Sequence, residues 1–176
     1  CAAWPESTVL AEILQWPLAL LALFSMLYGG LLAWRQSDLK AMVAYSSLSH
    51  MGVVLLGMAA LNESGITGAV LQMTAHGLVA ASLFLLVGLL YERTLTRNVQ
   101  DYSSLVQVMP RFALFTTLTL LAALGLPGTV GFVAELHALI GGFQEWGGVM
   151  ALFSLSVLIG AAYCMRTIGL LFTGPV

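Results

Sequence analysis

Residues 112–144 read FALFTTLTLLAALGLPGTVGFVAELHALIGGFQ, and this stretch decides the fold. It is apolar enough to lie in a membrane. At about 1.5 Å of rise per residue, however, it is too long for one straight crossing of a hydrocarbon core about 30 Å thick. Gly125, Leu126, Pro127 and Gly128 stand near its middle. Proline removes a backbone donor and clashes with the preceding turn, so the sequence predicts a membrane helix broken at Gly125, Pro127 and Gly128. About two turns beyond the break comes Glu135, in a segment otherwise apolar from Phe112 to Ile140 apart from its threonines and His137. A carboxylate there is costly unless it is paired, protonated or reached by water. Unpaired backbone in a bilayer is tolerated only where it is buried in protein or lines a wet cavity. Break and acid together predict a hydrated pocket with a titratable group beside it. A kink that only shapes packing would account for the proline and leave the acid unexplained.

The rest of the chain agrees with a membrane setting. Of its 176 residues 60% are hydrophobic and 8% charged, with a mean hydropathy of +0.97. Soluble domains carry roughly a quarter charged residues, so a water-soluble fold is excluded. A net charge of −2 offers no basic surface for nucleic acid. Four more stretches are long enough to span: residues 13–34, 40–61, 66–90 and 149–172. Ser37 or Asp38 can cap the helix of the second, a turn cluster at Asn62, Glu63, Ser64 and Gly65 closes it, and Gly174 and Pro175 close the last. Residues 94–111 are the longest polar stretch. Val99, Tyr102, Leu105, Val106 and Met109 recur there at helical spacing, which predicts an interfacial amphipathic helix. The expected fold is all-α: five transmembrane helices, the fourth broken, plus one interfacial helix. Residues 1–176 form a single membrane domain that begins at Cys1 and is expected to be a fragment of a longer chain.

Alternating crossings put Arg35, Lys40, Arg93, Arg97, Arg111 and Arg166 at one face, which uses all 6 basic residues. Glu6, Glu12, Glu63 and Glu145 fall at the other. The positive-inside rule makes the Arg35 face cytoplasmic, or its equivalent in an organelle.

His50 and His76 each lie about ten residues into a span, roughly 15 Å from its end, so both land near the midplane. Imidazole titrates close to physiological pH, which suits proton exchange. A single histidine would serve equally well as a packing group that bonds a neighbouring carbonyl. Two at one depth favour a relay. Lys40, at the start of its span, either snorkels to the interface or donates protons from the cytoplasmic side. Ser46, Ser47, Ser49, Thr67, Gln72, Thr74 and Ser82 on the histidine-bearing helices could hold water, although such hydroxyls also serve plain helix contacts.

Other chemistries find no support. Cys1 and Cys164 are too far apart in sequence for a metal motif or a disulfide framework, and no phosphate loop, haem ligand pair or iron–sulfur set is present. The SxxK match at Ser37 and Lys40 lies in a turn between spans and lacks the companion motifs of a serine acylase. The sequon at Asn62 is of a kind that arises often by chance.

Four ordered blocks carry a resemblance: residues 37–52 (SDLKAMVAYSSLSHMG), 68–77 (GAVLQMTAHG), 91–97 (YERTLTR) and 126–135 (LPGTVGFVAE). The chain resembles the antiporter-type subunits of respiratory complex I. That resemblance implies a second inverted five-helix repeat, with His50 and His76 on a central hydrophilic axis and Glu135 as the terminal proton-exchanging group. It implies no cofactor in this chain, NADH and quinone being used by other subunits. It also implies partners among the other membrane-arm subunits and the lipid bilayer, none among nucleic acids, and a multi-pass place in a bacterial inner membrane. Many members have histidine in the block at 91–97 where this chain has Leu95, and His137 has no counterpart role. The same fold is expected in multisubunit sodium/proton antiporters and membrane-bound hydrogenases. On this reading protons from the cytoplasmic side reach Lys40, pass between His50 and His76 through water, and leave near Glu135.

Overall fold

The computed structural model describes residues 5–102 and 104–173, with side chains from residue 12 onward. Cys1, the Glu6 side chain, Gly174 and Pro175 lie outside that set. Helix α1 spans Pro5–Arg35, α2 Leu39–Ala59 and α3 Glu63–Thr94. A 3-10 turn at Val99–Asp101 and the short α4, Leu105–Val108, lead to α5, Pro110–Ala123. Then follow α6, Val130–Trp146, a 3-10 turn at Gly147–Met150 and α7, Ala151–Phe172.

Asp38 caps α2, its Oδ1 accepting from the amides of Lys40 at 2.7 Å and Ala41 at 3.1 Å. Asn62 caps α3 by accepting from Gly65 N at 2.8 Å, and its amide donates across to Gly141 O on α6 at 2.7 Å. One side chain thus starts a helix and ties it to its neighbour.

The broken fourth crossing is visible in how α3 is covered. Near its C-terminal end, Leu83, Leu86, Val87 and Leu90 face Phe112, Thr116 and Leu120 of α5. Near its N-terminal end, Gly65 and Gly68 press on Gly141, Ala138 and Ala134 of α6. The 32 residues of α3, roughly 48 Å long, are therefore matched by α5 and then α6 running the opposite way. Four helical stretches are individually long and apolar enough to cross, the last of them running from Val130 to Phe172. Pro110–Ala123 is too short by itself and crosses only together with α6. Gly147, with φ +56, turns the chain back, and α7 returns along α1, with Ile159 against Gly30, Phe153 clustered with Ala22 and Met26, and Arg166 bonded to Trp34 O. The count of five crossings stands.

Among the described residues the basic side chains also gather at one end of the bundle, with Glu12, Glu63 and Glu145 at the other. The Arg166 guanidinium donates to Trp34 O at 2.7 Å and Gln36 O at 3.4 Å, where the carbonyls at the end of α1 lack intrahelical partners. Leu39 N donates to Arg97 O at 2.9 Å and Val99 N to Ser37 O at 2.7 Å, which pins the loop after α3 to the α1–α2 turn. Arg93 and Arg111 border one groove. At the opposite end the Trp16 and Trp146 rings lie 6.3 Å apart, near the exposed Glu12, Glu63 and Glu145.

Residues 94–111 depart from the single amphipathic helix expected of them. Leu95 ends α3 in the left-handed region at φ 58, and only the 3-10 turn and α4 follow, with Ser104 at φ 51 between them. Local side-chain bonds displace helical ones: Asn98 caps the turn, Thr96 Oγ1 donates to Asp101 at 2.6 Å, and the Tyr102 hydroxyl donates to Thr96 O at 2.7 Å. Val99, Tyr102 and Leu105 are buried against the bundle as their spacing implied, whereas Val106 is exposed.

Buried apolar residues form two clusters. One lies toward the basic end, around Met42, Val43, Leu90, Leu120 and Leu171, and the other toward the acidic end, around Met26, Leu56, Met150 and Phe153. A polar layer separates them. Its level is set where α3 and α6 touch, because a Cβ on Gly68 would overlap the backbone of Ala138. Replacing Gly68 by valine should force the two helices apart at a cost of about 1–3 kcal/mol. A lower unfolding temperature of the detergent-solubilised protein would register it, and an unchanged one would show that the contact is slack.

Candidate functional site

The break leaves a specific gap in the backbone hydrogen bonding. In a continuous helix the Ala123 carbonyl would accept from the residue four positions on, but that residue is Pro127, which has no N–H. The chain turns instead through Gly125, at φ +73, with its amide on Ala122 O at 3.2 Å. Leu126 N reaches back to Leu121 O at 3.2 Å. His50, projecting from the middle of α2, takes the place of the missing donor: its Nε2 lies 2.9 Å from Ala123 O. A carbonyl can only accept, so Nε2 carries the proton.

Thr129 caps α6 by accepting from Phe132 N at 3.4 Å, and the helix it starts carries Glu135 back toward the break. Glu135 Oε1 stands 3.9 Å from the same His50 Nε2, and both side chains are almost wholly buried, at 12% and 13% exposure. The other carboxyl oxygen lies against the α-carbon of Gly125, where an added Cβ would come within 2.7 Å of it. Gly125 is thus needed twice, for its left-handed backbone and for the space the acid fills. Gly128, at φ +102, faces open space and contributes only the turn.

His76 on α3 completes the group. Its ring centroid is 5.3 Å from that of His50, with the planes tilted by 33°. Gln72, one turn earlier and buried, joins His50, His76 and Glu135 around a cavity of about 10 Å³. On the other side of the His50–Glu135 pair, Ser49, Ser156 and Tyr163 help line a second cavity of about 20 Å³. Spaces of this size take about one water molecule each when polar groups line them. His50 Nδ1 and Gln72 Oε1 are buried with no hydrogen-bond partner among the described residues. Such atoms are the acceptors that a water molecule satisfies.

Chemically, the cluster offers a proton two neighbouring places within the low-dielectric interior. It can sit on the Glu135 carboxyl beside a neutral imidazole or, since Nε2 is already protonated, on Nδ1 of His50 beside the carboxylate, a transfer that a water molecule would have to carry. His76 and the two cavities lie beside these positions.

Of the residues the sequence singled out, the fold brings His50, His76 and Glu135 together, with Gly125 against the Glu135 carboxyl and Pro127 and Gly128 in the adjoining turn. Lys40 stays outside. It is exposed at the start of α2, about three turns from His50, behind the apolar cluster containing Leu39, Met42 and Val43. His137 bonds back to Val133 O on its own helix at 2.8 Å and does not join the group. Among the hydroxyls weighed as water holders, Ser46, Ser47, Thr74 and Ser82 bond carbonyls of their own helices. Ser49 donates to Met26 O on α1 at 3.0 Å, and Thr67 is exposed. Tyr163 and Ser156 on α7 were missed. A tyrosine in a mostly apolar span was the signal available, but nothing in the sequence aligned it in depth with His50.

A bundle of long apolar helices, one of them broken beside a largely enclosed His–His–Glu group, is the architecture of an integral membrane subunit. The chain belongs to the NADH:quinone oxidoreductase/Mrp antiporter transmembrane family, whose model matches residues 5–160. It is 40% identical over 146 residues to NADH-quinone oxidoreductase subunit M of Rickettsia typhi, an alignment covering 83% of this chain and 30% of the relative. To NADH-ubiquinone oxidoreductase chain 4 of Chondrus crispus it is 46% identical over 143 residues, 81% of this chain and 29% of that one. Among solved structures, a chain of Thermus thermophilus respiratory complex I with bound NADH superposes with a TM-score of 0.89 at 37% identity, covering 94% of this chain and 36% of the other. A chain of the Mrp complex from Dietzia sp. gives a TM-score of 0.83 at 26% identity, covering 92% and 30%. The chain thus spans about a third of the length of these proteins.

Substituting Gly125 with alanine would put a methyl group into the carboxyl of Glu135 and impose left-handed strain of about 1–2 kcal/mol. The expected result is a less stable protein in which Glu135 is displaced from His50. Thermal unfolding measures the first effect, and the His50–Glu135 distance in a structure of the variant measures the second.

Proposed function

We propose that the chain is part of a proton path in an antiporter-like membrane-arm subunit of NADH:quinone oxidoreductase, of the kind called chain M in bacteria and chain 4 in mitochondria. The observation that carries this reading is His50 Nε2 held between the Ala123 carbonyl and Glu135, with His76 beside it and room for water on both sides. Residues 1–176 make one membrane domain within a longer subunit in a bacterial inner membrane. Other membrane-arm subunits are its partners, and NADH and quinone are used by other subunits of the complex, this chain carrying no redox centre. Redox energy reaches the chain through those partners.

Within this reading Glu135 is the exchanging acid, His50 the group that shares its proton, and His76 the next station. The sodium/proton antiporter or membrane-bound hydrogenase reading is second, supported by the likeness to the Mrp complex. Sodium uptake into vesicles driven by a pH gradient, independent of NADH, would select the antiporter.

Replacing Glu135 by glutamine in the intact complex should abolish proton translocation while the complex still assembles. Translocation at the normal rate, followed by a pH-sensitive dye in vesicles, would remove Glu135 from the path.

The two histidines should separate in their effects. Both His50→Ala and His76→Ala slow translocation, but only His50→Ala also orphans the Ala123 carbonyl, a cost of about 1–3 kcal/mol. Thermal denaturation alongside flux would show stability falling in the first variant and holding in the second. Normal flux in both would return the imidazoles to a packing role.

A further inference from the structure

We propose that the seam between α3 and α5 at the basic end of the bundle is a binding site for an anionic phospholipid. A groove of about 500 Å³ opens there, walled by Leu89, Val108, Met109 and Phe112 and bordered by Arg93 and Arg111. Neither guanidinium has an ion-pair or hydrogen-bond partner among the described residues, and both are exposed. Of the other arginines, Arg97 lies 4.3 Å over the Tyr91 ring, Arg166 donates to the Trp34 carbonyl, and Arg35 is exposed but does not border this groove. Two free guanidiniums bordering one groove supply positive charge that suits a phosphate group.

The seam continues into the bilayer in a way that suits an acyl chain. Further along the same two helices a second groove of about 240 Å³ runs between Leu78 and Ser82 on one side and Phe115, Leu118 and Thr119 on the other. Its two hydroxyls are already spent, Ser82 donating to Leu78 O at 2.8 Å and Thr119 to Phe115 O at 2.7 Å. What remains is apolar surface, with Leu78, Leu85 and Phe115 each at least 60% exposed. From Arg93 to Leu78 is about four turns of helix, roughly 22 Å, comparable to one leaflet with its headgroup layer. A free phosphate would use the arginines and leave this apolar track without a purpose, so the occupant is a lipid. The basic end is also the face where anionic leaflets concentrate cationic segments.

The test uses the full-length protein in its assembled complex, reconstituted in phosphatidylcholine vesicles. These contain photoreactive phosphatidylglycerol or, in a parallel set, photoreactive phosphatidylcholine, each with the label on its acyl chain. The expected result is label from phosphatidylglycerol concentrated in residues 78–93 and 108–119, well above that from phosphatidylcholine. Combined Arg93→Gln and Arg111→Gln should lower it on the order of tenfold. Combined Arg93→Lys and Arg111→Lys should retain most of it. Equal labelling by the two lipids, or label confined to other helices, overturns the proposal. So does inorganic phosphate displacing the label at concentrations that leave other lipid contacts intact, since a free anion would then be the ligand. Should the glutamine variant not assemble, the comparison of the two lipids on the unaltered protein decides alone.

Discussion

The hydrogen bond from His50 to the Ala123 carbonyl is the contact on which the middle of this bundle depends, and it exists because Pro127 cannot make it. Breaking a helix inside a bilayer leaves polar backbone that the surrounding lipid cannot satisfy, which destabilises the fold unless another protein group bonds it. Supplying the donor from α2 removes that penalty and fixes the proton on Nε2. It also places the imidazole where the second half of the broken crossing delivers Glu135. Structure and chemistry are therefore coupled in one atom: Nε2 repairs the helix and faces the acid.

The packing around that contact is organised to keep it in place and to keep it separate from both membrane surfaces. Small residues let α3 and α6 approach closely, which brings His76 and Gln72 to the level of Glu135. Apolar clusters toward the basic and acidic ends close the polar layer above and below. A cavity with room for about one water lies on either side of the His50–Glu135 pair, so hydration is local to the group. The exposed Lys40 lies across the basic-end cluster from this layer. That arrangement favours a role for Lys40 at the membrane surface over direct exchange with His50.

The ends of the helices serve a different purpose. Asp38 and Asn62 begin helices that enter the membrane, Thr129 begins the second half of the broken crossing, and Asn62 and Arg166 also bridge to neighbours. The polar loop at the basic end spends its side chains on its own turns and on the α1–α2 connection, which is why it is no longer one helix. Arg93 and Arg111 stand apart from this economy, with charge unspent beside an apolar track.

How much was legible in the chain alone follows from which physics is local. Hydrophobic length, proline chemistry and charge placement depend on residues close in sequence. They were enough for the long apolar helices, the break at Gly125, Pro127 and Gly128, and for putting His50, His76 and Glu135 at a common level of the bundle. The four sequence blocks were enough for the family. Only the tertiary structure could decide which groups meet. The His50 bond to Ala123 joins residues 73 positions apart. Tyr163 enters the site because α7 folds back along α1 and brings it to the cavity shared with His50 and Glu135, while Ser46, Thr74 and His137 bond carbonyls three or four residues back on their own helices. A helix's sequence determines how deep a side chain sits. The direction it faces is set by the neighbours it packs against, and those are known only once the chain has folded.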